Sequence, residues 1–182
     1  MGRGGIMSKI LTTQVSGLLQ RITQNEEDAI EETARLLAQA AIGEGNVYFA
    51  CFGEMQTVEL NALQAVEPFS KLAPWTSDTN LTEADRVCIF TRSAHDEEAL
   101  ALAQKLNTQF IPFAAVASEP ASAENPLMDL AYTYVSTRIK GGLLPNDLGQ
   151  RIVVPHALAG LFVYEAVKMA YDDMLGFDEE EL

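Results

Sequence analysis

Basic residues are scarce in this chain. Its 182 residues include 12 Lys and Arg against 26 Asp and Glu, for a formal net charge of -14. A phosphate-backbone binder needs a basic face, so no nucleic-acid partner is expected. A small anionic ligand is still allowed, because a local pocket can oppose the global field. Long hydrophobic runs are missing too. None reaches the roughly 20 apolar residues that span a bilayer, so no membrane partner is expected. Histidine is limited to His95 and His156, and cysteine to Cys51 and Cys88. The two cysteines lack CxxC spacing, so nothing supports a redox pair or a metal site. Each lies in an apolar, strand-like run, which fits two buried free thiols in a reducing compartment, and a cytoplasmic location follows. The opening MGRGGIMSKI has no apolar secretory segment, and Ile6 stands where a myristoylation motif needs Ser or Thr. There is no internal repeat and no long linker. Residues 1–7 read as a flexible extension with Met7 as an alternative start, residues 8–175 as one domain, and residues 176–182 as a solvated acidic tail.

What is present alternates. Ile10, Leu11, Val15, Leu18, Leu19 and Ile22 recur at helical spacing from Ser8. Asn25 reads as the N-cap of a second helix, opened by Glu26, Glu27 and Asp28 and closed by Gly43 and Gly45. NVYFACFG (46–53) is a short apolar run without alternation, as in a parallel strand buried on both faces. A helix is expected over Glu54–Ala65, and a weak edge strand in EPFSKLAPW, bounded by Pro68 and Pro74. A strong strand follows at Arg86–Phe90, then a helix over Asp96–Leu106. QFIPFAAVAS and LAYTYVST supply two more strands. Residues 138–154 carry Gly141, Gly142, Pro145, Asn146 and Gly149 and read as a loop. Pro155 opens a last helix that Gly176 stops. The pattern defines an α/β three-layer sandwich: a doubly wound parallel sheet of five strands in the flavodoxin-like order 2-1-3-4-5, with extra helices at the N-terminus.

Open parallel sheets bind ligands at the carboxyl ends of the strands, where strand order reverses. That topology brings Phe52-Gly53-Glu54-Met55 opposite Thr91-Arg92-Ser93-Ala94-His95. Each loop leads into a helix N-terminus, whose free N–H groups attract anions. Gly53, Thr91, Arg92 and Ser93 are therefore the candidate ligand-binding residues: the hydroxyls donate hydrogen bonds, and the guanidinium fork suits a phosphate. Ser, Thr and Asp at a strand–helix junction are also ordinary caps, so residue types alone leave both readings open. His95 titrates near neutral pH. His156 is either a helix-start residue packing locally or a proton-transfer group at the crevice. Lys140 and Arg151 flank the glycine-rich loop and either close over an anion or are simply solvated.

The helix-first layout, NVYFACFGE and DRVCIFTRSAHDEEALALAQKL together resemble the SIS (sugar isomerase) domain. RIVVPHALAGLFVYEAVKMAYDDML is similar to the last helix of its phosphoheptose isomerase branch. TTQVSGLLQRI and RIKGGLLPNDLGQRIVVPHALAGLFVYEAVK resemble more closely a bacterial family of unassigned function on that fold. The resemblance covers Ser8 to Leu175. It implies a Ser/Thr-rich loop after the third strand that grips a sugar phosphate. The chain departs from the pattern in two places. CFGEM carries Glu54 near the position of the family's serine, and FTRSAH carries Arg92 and Ser93 in place of a Ser-Thr-Ser-Gly run. The branch's metal-linked His, Glu and Gln set is not rebuilt either. Gln56, Glu59 and Gln64 lack a histidine, and Tyr164 and Asp172 stand at about the places of the family's Gln and His. No metal or cofactor is expected.

Three functions compete. One is a binding protein for a sugar phosphate or related anionic sugar derivative. Another is an aldose–ketose isomerase with Glu54, His95 and His156 as candidate acid–base groups. The last is an interaction module in which the apolar N-terminal helices build a homodimer.

Overall fold

The computed structural model describes residues 3–176. The chain opens with α1 (Arg3–Ile42), a single helix of 40 residues rather than the expected pair. Asn25 does not cap. Its amide donates to Arg21 O at 2.7 Å, so the polar side chain bonds back along the helix and the ladder continues. The residues expected as a flexible extension are helical from Arg3, and Ser8 Oγ bonds Gly4 O within the same ladder. Met1 and Gly2 lie outside the described residues, as do the acidic residues 177–182.

Then follow β1 (Val47–Cys51), a 3-10 turn (Gly53–Met55), α2 (Gln56–Gln64), β2 (Leu72–Ala73), β3 (Arg86–Phe90), α3 (Glu97–Thr108) and β4 (Phe113–Ala117). The chain continues through a short α4 (Pro126–Leu130), β5 (Thr133–Ser136), β6 (Leu144–Pro145), β7 (Arg151–Ile152) and α5 (His156–Leu175). The five main strands are parallel, in the order β2-β1-β3-β4-β5, as the apolar runs require. β2 is the weak edge. Residues 138–154, expected as a loop, contain a small antiparallel hairpin in which Leu144 faces Ile152.

Successive strand residues point to opposite faces, and the core divides accordingly. Phe49, Phe90 and Val116 pack under α1, α2 and α5. Tyr48, Ile89 and Ala115 pack under α3 and α4. Asp96 caps α3 by accepting from Ala99 N at 2.9 Å, and Gly176 ends α5 in the left-handed conformation. Cys51 and Cys88 are free, and burial pushes both thiols up, Glu59 adding to the effect at Cys51.

Candidate functional site

β1 and β3 pair along their whole length, from Val47 against Arg86 to Cys51 against Phe90. The helix after β1 packs on one face of the sheet and the helix after β3 on the other, which opens a crevice between the two loops. Gly53 has φ +59°, a conformation that favours glycine, and it sends the first loop toward the second. A Cβ at Gly53 would lie 3.7 Å from Arg92 Nε. Arg92 Nε stands 3.8 Å from Glu54 Oε1, so the two loops meet through an exposed ion pair.

Arg92, Ser93, His95, Asp96, Ser118 and His156 line an open cavity of about 330 Å3 at this place. His156 arrives from α5. The helix start can reach the crevice because Gly160 leaves room for Met55: a Cβ there would stand 2.6 Å from Met55 Sδ. Burial lowers the His156 pKa below the usual histidine value, and Arg92 adds to the effect against the pull of Glu54 and Glu119. Its Nδ1 is buried and has no hydrogen-bond partner among the described residues. Thr91 stands apart from the other candidates. It is fully buried at the end of β3, and its hydroxyl is likewise unpartnered.

The sequence reading missed Glu119. This carboxylate, just past β4, accepts from Ser93 Oγ at 2.7 Å and from Ala94 N at 2.7 Å. Burial alone would raise its pKa. The bonds from the Ala94 N–H and the Ser93 hydroxyl outweigh that and hold it below the ordinary carboxyl range. Tyr134 OH donates to Glu119 O at 2.7 Å and anchors the backbone. Ser93 is thus neither a helix cap nor a free donor: it gives its proton to Glu119 and accepts from His95 N at 3.1 Å. An acidic residue directly after a buried strand, facing a Ser-rich helix start, was the available signal. Among the described residues no cluster of His, Cys, Asp and Glu could hold a metal, and no helix is long and apolar enough to cross a membrane.

This parallel sheet with its crevice is the SIS, or sugar isomerase, fold. A candidate phosphosugar isomerase involved in capsule formation, from Bacteroides fragilis, superposes with a TM-score of 0.76 at 14% identity, over 96% of this chain and 92% of that one. E. coli CFT073 c3406, solved in complex with a sugar phosphate, gives 0.69 at 15% identity, over 97% and 95%. Vibrio vulnificus NanR, solved with ManNAc-6P, gives 0.69 at 13% identity, over 98% of this chain and 66% of that one. At these identities the likeness is one of fold. Within the fold, the family model described as a domain of unknown function, DUF2529, matches residues 7–175, and the chain belongs to that family. The uncharacterized protein YwjG of Bacillus subtilis (strain 168) is 32% identical over 171 residues, covering 93% of this chain and 98% of the relative.

Proposed function

We propose that the protein binds a small anionic carbohydrate derivative, such as a sugar phosphate, between the loops after β1 and β3. The observation that carries this reading is the cavity where Arg92, His95 and the unpartnered His156 nitrogen converge at the switch point of the sheet. The ligands of c3406 and NanR, both solved on this fold, support the chemical class. Glu119 already occupies the Ser93 hydroxyl and the Ala94 N–H, so the phosphate group falls to Arg92 and the sugar hydroxyls to Ser118, Glu119 and His156. Isothermal titration with a panel of aldose and ketose phosphates tests this. Saturable binding that Arg92→Ala abolishes is expected. Absence of heat with every member at millimolar concentration would sink the reading.

A second reading, aldose–ketose isomerisation, draws on one feature. His156, held neutral by its lowered pKa, stands in the field of Glu54, so a base and a carboxylate share the crevice. NMR of a sugar phosphate incubated with the protein would reveal turnover. Turnover unchanged by substitution at Glu54, His95 and His156 would reject these groups. The exposed Ile6 and Ile10 of α1 fit a homodimer built on that helix, which light scattering would detect as twice the chain mass. The two free thiols agree with a cytoplasmic setting.

A further inference from the structure

A second cavity, of about 490 Å3, is larger than the one at the crevice and shares no residue with it. One wall comes from α1, through Gln14, Leu18 and Arg21. The other comes from residues 138–143 after β5, closed by Arg151 of β7. Four of its lining residues are cations, Arg21, Arg138, Lys140 and Arg151, and none is Asp or Glu. A third of the chain's 12 basic residues therefore surround one hollow in a molecule of net charge -14. Like charges gathered this closely repel unless an anion offsets them.

One of the four is offset. Arg138 gives Nη2 to Glu26 Oε1 at 2.7 Å and Nε to the same oxygen at 2.8 Å. The other three keep their charge for the cavity. Arg151 spends Nε on Gly142 O and Nη2 on Leu143 O, each at 3.0 Å. Those bonds fix the guanidinium against the loop and bring no negative charge. Neither Arg21 nor Lys140 forms an ion pair with another described residue. The loop itself is open to an acceptor. The N–H groups of residues 139–142 donate to no backbone carbonyl among the described residues, and a Cβ at Gly141 would meet nothing within 4 Å. Bare backbone donors beside guanidinium groups are what a phosphate recognises. The volume lies within the range of roughly 300–1,000 Å3 of small-molecule sites.

We propose that this hollow is a second anion site, for a small phosphorylated molecule carrying two or more negative charges. Arg21 and Arg151 hold it from opposite walls, and Lys140 closes over it. The chain's own acidic end is badly placed to fill the site. α5 carries the chain about 30 Å from His156, to the end where Tyr171 OH bonds Ser70 O.

Inorganic pyrophosphate titrated into the full chain is the probe. Saturable binding that weakens with added salt is expected. The double variant Arg21→Ala/Lys140→Ala should lose about tenfold or more in affinity. Both side chains are exposed, so a melting curve matching the parent's is also expected. Arg92→Ala, in the other cavity, should bind pyrophosphate as the parent does. No binding at millimolar pyrophosphate, parental affinity in the double variant, or loss of binding in Arg92→Ala would each overturn the proposal.

Discussion

Ser93 and Glu119 are joined side chain to side chain, hydroxyl to carboxylate, at 2.7 Å, and the second carboxylate oxygen takes the neighbouring Ala94 N–H at the same distance. The start of α3 therefore already carries an anion, tethered to the chain. An incoming phosphate competes with it. Glu119→Ala is expected to tighten inorganic phosphate or sugar phosphate binding about tenfold, the worth of one charge-assisted hydrogen bond. Titration calorimetry measures it. Unchanged affinity would mean that Glu119 only braces the loop. The same variant should lose about 1–2 kcal/mol of stability. The folded state lowers the carboxyl's pKa, so its contribution is present above the unfolded carboxyl value of about 4.3 and is lost as pH falls through the folded value. The variant should flatten that acid limb.

His156 gives a second pH signature, at a higher range. Its pKa is lowered by burial, so the unfolded chain takes up a proton first. Stability should be full above about pH 6.5 and decline as pH falls below it. Thermal melts from pH 8 to pH 5 should show the decline in the parent and less of it in His156→Gln. Equal slopes in both would count against a buried, unpartnered ring nitrogen.

Gly160→Ala tests how the start of α5 is held at the crevice. The new methyl would meet Met55 Sδ at 2.6 Å and Val58 Cγ2 at 3.4 Å, both buried. Overpacking of this kind costs about 1–3 kcal/mol. Denaturant unfolding reads the loss. Because the strain falls on the turn after β1, ligand affinity at the crevice should fall with it.

Glu26 is 7% exposed and binds Arg138 through two guanidinium nitrogens and Ser136 N at 3.2 Å. Glu26→Ala leaves the half-buried guanidinium without its partner, at a cost of about 3 kcal/mol. For a domain of this size that lowers the melting temperature by roughly 6–12 °C. A drop under 2 °C would show that water replaces the carboxylate at little cost, about half a kcal/mol.

The strands were legible because burial on both faces writes itself as unbroken apolar runs, VYFAC, RVCIF and FAAVA, and the order followed from the helices between them. Asp96 was legible as the start of α3 for a local reason, its bond to Ala99 N. Asn25 misled for a local reason too. The same short amide that caps a helix also bonds back to the carbonyl four residues earlier, and here it does the second. The hairpin of β6 and β7 escaped notice because two-residue strands leave no period to read. At the crevice, the meeting of Arg92 with Glu54 followed from topology alone. The grip of Glu119 on Ser93 joins residues 26 apart through the fold, and no spacing along the chain encodes it.

The length of α1 has a consequence for access. Forty residues make a rod of about 60 Å, while the five-residue strands beneath it are only about 17 Å long. Glu26 already stands beside Ser136 at the carboxyl end of β5, so the first half of the rod overshoots the sheet on the side where both cavities open. Ile6 and Ile10 ride on that overshoot. A second chain seated on them would stand at the doorway, and traffic of small molecules into this protein would then depend on how crowded it is with copies of itself.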